Sequence, residues 1–167
     1  MLAVIFGVNG VAAVAQLVNC LQSPFLAHDD KFCVTPTYHV FDMYSAHQGA
    51  QGVRVVCESP AVNYTRNGKP ATLPGLSGSA SLDGKRLILT VANPSLDQPR
   101  ETKVALRGGS VKAIKAVTLA TKDPHAHNSF ESPRAVEPKE QSIASQESPI
   151  VHTFLPASVT KLEIQLG

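Results

Sequence analysis

Apolar and polar residues alternate at successive positions through much of the chain after residue 53, which is the period of a half-buried β-strand. The alternation is clearest at the end, in LPASVTKLEIQLG. There the apolar side chains are predicted to face a core and the polar ones to face away: Leu162, Ile164 and Leu166 inward, Lys161, Glu163 and Gln165 outward. This pattern favours antiparallel sheets that each bury one face.

Turn signals divide this region into short strands. The stretch SGSASLDGKRLILTVANPS predicts a hairpin, because Asp83-Gly84 supplies the positive φ of a tight turn. In its second strand, Leu87, Leu89 and Val91 are predicted on one face, and Arg86, Ile88 and Thr90 on the other. A short strand is predicted at residues 53–58, and two more in residues 101–121, broken at Gly108-Gly109. Residues 133–149, polar and proline-bearing, predict a surface loop. Several short strands at this spacing indicate an antiparallel β-sandwich.

Residues 1–52 follow a different pattern. Gln16, Asn19 and Gln22 recur every third position among apolar residues, which predicts a helix through this stretch that ends before Pro24. A polar turn at residues 28–31 and a short buried strand at residues 32–35 are predicted next. A helix over residues 42–48 follows, closed by Gly49 and Gly52. Helix, strand, helix is typical of parallel α/β proteins, but one strand cannot form a parallel sheet.

A signal peptide or membrane anchor is the alternative explanation of residues 1–27, which carry no charged side chain. About 20 apolar residues suffice to cross a bilayer. A secretory signal requires a basic residue before its apolar run, but no Lys or Arg is present there. The amide side chains also interrupt the apolar run. We therefore expect neither a signal peptide nor a membrane partner, and a cytoplasmic location.

Composition narrows the function classes. The net charge of +2 is small and the basic residues are dispersed, so we expect no nucleic-acid partner. Aromatic residues make up only 5% and tryptophan is absent, which argues against a sugar-binding platform of exposed rings. Cys20, Cys33 and Cys57 are widely spaced, which favours free thiols over a zinc site or a disulfide framework.

Five blocks in order carry a resemblance: AQLVNCLQS, VTPTYHVFDMYSAHQGA, LPGLSGSASLDGKRLILTVANPS, AHNSFESPRAV and LPASVTKLEIQL. From about residue 15 onward the chain resembles the C-terminal part of an α-L-arabinofuranosidase of glycoside hydrolase family 51. The resemblance implies a mainly β fold: an antiparallel, jelly-roll-like β-sandwich at residues 53–167. Residues 1–52 would then be the last helix–strand–helix unit of an incomplete (β/α)8 barrel. Residues 12–22 would be a late barrel helix, residues 32–37 the eighth strand and residues 41–48 the last helix.

The resemblance also implies what chemistry the chain lacks. Both catalytic glutamates of such enzymes lie on earlier barrel strands, and no glutamate precedes Glu58 here. We therefore expect no catalytic residue in this chain and no activity from it alone, although the parent function is the hydrolysis of terminal α-L-arabinofuranosyl residues. Arabinose-containing polysaccharides or oligosaccharides would bind through the missing barrel, and the parent enzyme would be a homo-oligomer.

Thr35, Thr37 and Tyr38 are the substrate-pocket candidates, because barrel enzymes bind substrate at the C-terminal ends of their strands. Two interpretations are open: the hydroxyls contact an arabinose ring, or Tyr38 packs beneath a loop while the threonines cap the strand. We expect no cofactor and no metal, since His39 and His47 straddle a helix start and His125 and His127 have no evident third ligand. Asn128 is expected to bond the backbone of an adjacent turn, and Phe130 to anchor its segment in the core.

Three functional hypotheses therefore compete. The first is a partial arabinofuranosidase that supplies the sandwich and the closing unit of the barrel. The second is a free-standing β-sandwich that binds sugar polymers or a partner subunit without catalysis, and the third is a β domain anchored in a membrane by residues 1–27.

Overall fold

The computed structural model describes residues 14, 16–144 and 148–167. In this part of the chain there are twelve β-strands and one α-helix. The helix is α1 (Pro36–Ser45). The strands are β1 (Phe25–His28), β2 (Lys31–Val34), β3 (Gln51–Val53), β4 (Val62–Arg66), β5 (Lys69–Leu73), β6 (Ser77–Asp83), β7 (Arg86–Asn93), β8 (Arg100–Val104), β9 (Val111–Ala120), β10 (Lys139–Ile143), β11 (Ile150–Phe154) and β12 (Ser158–Leu166).

The strands pair antiparallel throughout, as the alternating pattern predicts. The main sheet has six strands in the order β10-β9-β12-β7-β6-β3. Three two-stranded sheets, β1-β2, β4-β5 and β8-β11, accompany it. The mainly β, antiparallel fold class is therefore confirmed.

The main core lies between one face of the six-stranded sheet, here the inner face, and the β8-β11 pair. Ile150 and Phe154 of β11 pack on the apolar side chains of the central strands, Leu87, Leu89, Val91, Ile114, Leu162 and Ile164. Leu162 and Ile164 are fully buried, which confirms the orientation predicted for β12. The β6-β7 hairpin is also confirmed, since Asp83 pairs with Arg86 and Gly84 has a φ of 55°.

Helix α1 covers the opposite, outer face of the six-stranded sheet. Val40 and Met43 of the helix pack against a second apolar cluster on that face, formed by Val117, Leu119, Val136 and Val159. Because one side of β7 faces the main core and the other faces the outer layer, both Ile88 and Leu89 are buried.

The predicted helix over residues 12–22 is wrong where the structure describes it. Residues 16–22 form bends and a turn, with positive φ at Asn19 and Gln22. The Asn19 side chain pairs with both backbone groups of Ala27: Nδ2 donates to the carbonyl oxygen at 2.7 Å and Oδ1 accepts from the N–H at 2.8 Å. An amide that bonds the backbone in this way competes with helix formation. Residues 12, 13 and 15 lie outside the described residues.

The predicted strand at residues 32–37 and helix at residues 41–48 both need new boundaries. The strand is β2, which ends at Val34 and pairs antiparallel with β1 across the Asp29-Asp30 turn, so it is not a lone parallel strand. The helix already begins at Pro36, whose fixed φ and missing N–H suit the first turn. It ends at Ser45; Gly49, with φ 74°, follows it, but Gly52 belongs to β3.

Three further predictions differ from the structure. The strand predicted at residues 53–58 is instead β3, which ends at Val53. Strand β10 lies inside the predicted loop at residues 133–149 and pairs with β9. The two strands predicted in residues 101–121 are present as β8 and β9, but they belong to different sheets.

Strands β4 and β5 form a further hairpin, which was not predicted. Its turn is Asn67-Gly68, both with positive φ (52° and 75°), which is the type I′ turn that this dipeptide favours. The dipeptide was a readable hairpin signal.

Candidate functional site

The three pocket candidates lie where strand β2 passes into helix α1. Thr35 is the residue before the helix, and Thr37 and Tyr38 are in its first turn rather than on a strand. All three are half-buried. The structure thus brings them together, at a strand–helix junction rather than along a strand end.

Thr35 is hydrogen-bonded to the backbone of the preceding segment. Its Oγ1 donates to the carbonyl oxygen of Ser23 at 2.6 Å, and its N–H donates to the carbonyl oxygen of Pro24 at 2.9 Å. Ser23 is itself buried, and its hydroxyl donates to the Phe25 carbonyl oxygen at 2.8 Å. These bonds fasten residues 23–25 to the start of α1, which is the arrangement of the second interpretation, a threonine that holds the strand end.

Tyr38 belongs to a cluster of aromatic rings. Its ring centroid lies 5.3 Å from that of Phe25, which in turn lies 5.4 Å from Phe32. The His39 ring lies 5.5 Å from Tyr38 with its edge toward it. Burial lowers the pKa of His39, against the opposing effect of the nearby charges of Asp42 and Glu137. Phe32 remains 62% exposed, so the cluster has an apolar outer surface.

Asn128 holds this junction to the distant loop before β10. The side chain is 2% exposed and makes three hydrogen bonds. Its Oδ1 accepts from the N–H of Val136 at 2.7 Å, and its Nδ2 donates to the carbonyl oxygens of Val136 and Val34, both at 2.9 Å. The expected bond to an adjacent turn is confirmed, and the bond to Val34 at the end of β2 is an addition that sequence analysis missed. Phe130, by contrast, is only half-buried and is not among the described core clusters.

A second polar group, also missed, lies under the end of helix α1. The His47 ring bridges two strands: Nδ1 is 2.7 Å from Ser81 Oγ of β6, and Nε2 is 2.8 Å from Thr90 Oγ1 of β7. Burial lowers the pKa of His47, and the nearby ammonium of Lys161 adds to the effect. The Tyr44 ring lies 5.8 Å away, and burial raises the pKa of Tyr44 to about 12 against a hydrogen bond with Ser79. The neutral imidazole therefore fixes the helix end to the sheet.

Glu163 of strand β12 is ion-paired with two basic side chains. Lys161 Nζ lies 2.8 Å from Glu163, and Arg86 lies 3.4 Å from the same carboxylate. Partial burial acts to raise the pKa of Glu163, but Lys161 and Arg86 outweigh it and hold the pKa below its usual value. A general acid of a glycosidase needs the opposite shift.

Among the described residues, no three His, Cys, Asp or Glu side chains come together as a metal site. The His127 ring bonds the backbone carbonyl oxygen of His125 at 3.0 Å. No helix in the described part of the chain has the length and apolar character needed to cross a membrane.

Comparison with known proteins places this geometry in a family. Residues 9–158 match the family model of the α-L-arabinofuranosidase C-terminal domain. An intracellular exo-α-L-arabinofuranosidase of Bacteroides ovatus is 34% identical over 161 residues, which cover 93% of this chain and 30% of that protein.

Solved structures similar to this chain come from the same family. The family 51 arabinofuranosidase of Xanthomonas axonopodis pv. citri superimposes with a TM-score of 0.81 at 27% identity, over 90% of this chain and 30% of its own. The thermostable family 51 enzyme of Thermotoga petrophila RKU-1 gives 0.78 at 29% identity, over 90% and 33%. The chain spans about a third of the length of these relatives. The resemblance inferred from the sequence is confirmed, and the chain belongs to the family of α-L-arabinofuranosidase C-terminal domains.

Proposed function

We propose that this chain is the non-catalytic C-terminal domain of a retaining α-L-arabinofuranosidase, and that it acts by completing and supporting a catalytic barrel. The observation that carries the proposal is the unequal alignment coverage. The alignments with the relatives include 90% or more of this chain but only about a third of each relative. The substrates would be arabinose-containing saccharides bound by the barrel. The relative's name supports an intracellular location, and the described cysteines are all free, as is usual in a reducing compartment.

The carboxyl chemistry of the chain supports a non-catalytic role. A retaining glycosidase requires two carboxyl groups about 5 Å apart, one of them an acid with a raised pKa. Here Glu163 is held by two cations and Glu140 by Lys115, at 2.8 Å. The pKa of Glu131 is lowered by a hydrogen bond from its own backbone N–H and one from Ser129. The lowered pKa values of Glu163 and Glu131 are opposite to the shift that a general acid requires.

We propose that residues 1–52 complete the barrel of the parent enzyme, with the domain boundary between residues 52 and 53, inside strand β3. Apolar side chains before the boundary support this, since Leu17 and Phe32 are each 62% exposed and Leu21 is 91% exposed. Large apolar groups at such exposure are typical of a surface that another part of a protein covers.

Thr37 and Tyr38 are proposed as residues that border the sugar pocket of the parent enzyme, with Thr35 in a supporting role. The bond from Thr35 to Ser23 favours support over contact for that residue. The half-buried Tyr38, packed on Phe25, offers its hydroxyl from a fixed ring.

A domain exchange tests the proposal. The C-terminal third of the Bacteroides ovatus enzyme is replaced by this chain, and hydrolysis of 4-nitrophenyl α-L-arabinofuranoside is measured beside the parent enzyme, the parent without its C-terminal third, and this chain alone. We expect activity from the parent and the chimera only. Turnover by this chain alone, purified free of host enzymes, would refute the non-catalytic role. A chimera that folds but is inactive would refute the supporting role.

A further inference from the structure

The side chain of Asn19 continues a short parallel pairing with strand β1 that the backbone begins. Val18 forms a parallel bridge with Phe25 of β1. The Phe25 N–H donates to the carbonyl oxygen of Leu17 at 3.0 Å, and the Asn19 N–H donates to the carbonyl oxygen of Phe25 at 3.1 Å. The Asn19 amide then makes the next two bonds: Nδ2 donates to the Ala27 carbonyl oxygen at 2.7 Å, and Oδ1 accepts from the Ala27 N–H at 2.8 Å. An amide side chain has the donor and acceptor of a peptide group, so it replaces the backbone here.

The backbone turns away from β1 where the side chain of Asn19 takes over the pairing. Residue 19 has a φ of 52°, in the left-handed region that Asn tolerates, and residues 21–22 form a turn. Thr35 fastens the chain just before β1, through Ser23, whereas Asn19 fastens β1 itself at Ala27. Because the Asn19 side chain is exposed, water can replace its bonds and their contribution to stability is small. What the bonds fix is the position of β1.

Strand β1 carries the ring on which Tyr38 packs. The centroids of Phe25 and Tyr38 lie 5.3 Å apart, with 42° between the ring planes. Ala27 lies two residues after Phe25 in the same strand, and it pairs with Phe32, whose ring lies 5.4 Å from that of Phe25. The bonds between Asn19 and Ala27 therefore hold the strand that supports the aromatic cluster beneath Tyr38.

We propose that Asn19 is a positioning residue for the sugar pocket of the parent enzyme, and that it acts through Phe25 on Tyr38. The inference rests on the proposed function, in which the Tyr38 hydroxyl borders that pocket. The Asn19 amide holds β1, β1 holds the Phe25 ring, and this ring sets where the Tyr38 hydroxyl lies. A hydrogen bond weakens steeply when its distance or angle leaves the preferred range, so an amide of little value to stability can still determine how well a sugar binds.

Fluorine NMR of the full chain tests the positioning directly. The three tyrosines, Tyr38, Tyr44 and Tyr64, are labelled as 3-fluorotyrosine, and single Tyr→Phe variants assign their resonances. Asn19→Gly removes the amide, and glycine adopts a φ of 52° without strain. We expect the Tyr38 resonance to shift by more than its line width and the Tyr44 resonance to stay in place. Asn67→Gly is the matched control, since Asn67 has the same φ in the β4-β5 turn, and it should leave the Tyr38 resonance unchanged.

Kinetics of the Bacteroides ovatus chimera test the consequence for the sugar pocket. The chimera is measured unchanged, with Asn19→Gly, with Tyr38→Phe and with both, and melting temperatures check that each variant is folded. Each single substitution should lower kcat/KM for 4-nitrophenyl α-L-arabinofuranoside about two- to tenfold, the value of one hydrogen bond. The loss should be mainly a higher KM, because a contact at the pocket border is made in the ground state and the transition state alike. The double variant should lose no more than the larger single loss, since Tyr38→Phe has already removed the hydroxyl that Asn19 positions.

The two measurements distinguish failure of this inference from failure of the proposed function. A Tyr38 resonance that does not move in Asn19→Gly, or that moves equally in Asn67→Gly, would overturn the inference whatever the chimera does. In an active chimera, unchanged kinetics for Asn19→Gly or additive losses in the double variant would overturn it as well. A chimera that folds but is inactive before any substitution would instead refute the proposed function.

A second variant covers the case in which Asn19→Gly does not fold. Asn19→Asp keeps the acceptor for the Ala27 N–H but places an oxygen against the Ala27 carbonyl oxygen, so it should also shift the Tyr38 resonance. An unmoved resonance in Asn19→Asp would overturn the inference.

Discussion

Replacement of Asn128 by alanine tests whether a single buried amide holds the β2–α1 junction to the sandwich. The side chain makes three hydrogen bonds, to Val34 and twice to Val136, and is 2% exposed. Each such bond contributes about 1 kcal/mol, and the partners left behind have little access to water. We therefore expect the free energy of unfolding to fall by about 3 kcal/mol. For a chain of this size that corresponds to a fall of about 6–12 °C in melting temperature.

The chain contains a matched control for this substitution. Asn19 forms the same two-way pairing with the backbone of a residue eight positions later, Ala27, but it is exposed. Water can replace its bonds, so Asn19→Ala is expected to cost less than about 1 kcal/mol. Asn128→Asp tests the donors separately, because it keeps an acceptor for Val136 and places oxygen against two carbonyl groups. It should destabilise at least as much as alanine.

Urea unfolding followed by far-ultraviolet circular dichroism suits this comparison, because the chain has no tryptophan. The two alanine variants, at Asn128 and at Asn19, are compared by their losses in the free energy of unfolding, since both lose an amide that bonds the backbone. Equal losses of stability, or a loss below about 1 kcal/mol for Asn128→Ala, would refute the view that burial makes this amide a structural clamp.

Two further predictions concern His47 and Gly75. Burial and Lys161 lower the pKa of His47 in the folded chain, so the unfolded chain binds more protons. The contribution of the neutral His47 to stability is therefore complete above about pH 6.5 and is lost as the pH falls through the folded-state pKa. We expect the urea midpoint to fall on acidification and to do so less steeply in His47→Gln; an equal slope in the variant would contradict this. Gly75→Ala places a methyl group against the Pro60 carbonyl oxygen and should cost at least about 2 kcal/mol in urea unfolding. Gly52→Ala, in an exposed strand with open space around the new methyl group, should stay within about 0.5 kcal/mol, and similar losses in the two variants would show that Gly75 is not sterically required.

The parts of the fold that local chemistry decides could be predicted from the sequence. The Asp83-Gly84 turn and the strict alternation in β12 each specify their own geometry, and both are confirmed. Family membership could also be inferred from the sequence, because several sequence blocks that resemble those of the family occur in the same order. Strand β10 was missed for the opposite reason: its sequence, KEQSI, lies on an exposed edge and needs no apolar alternation.

The candidate site was less accessible because its contacts are long-range. The hydrogen bond between Asn128 and Val34 joins residues 94 positions apart, and His47 bonds Ser81 and Thr90 on two strands of the six-stranded sheet. The periodicity of a sequence does not predict such contacts. The Thr-Pro dipeptide at residues 35 and 36, in contrast, is a helix-start signal, and because it was overlooked the helix was predicted to begin five residues too late.

Helix α1 belongs physically to the sandwich, whatever its place in the parent enzyme. The outer face of the six-stranded sheet presents Val117, Leu119 and Val159, and helix α1 covers it with Val40 and Met43. An antiparallel sheet facing water on that side would instead alternate apolar with polar residues along each strand. Strand β7, RLILTVAN, is also buried on both sides, and on the outer face its Thr90 bonds His47, which follows the helix. In the parent enzyme that we propose, the same helix would follow the last barrel strand and would contact two cores. Such a double contact would explain how an apparent α/β fragment can precede a β domain, since in this chain the helix of that fragment packs on the sandwich.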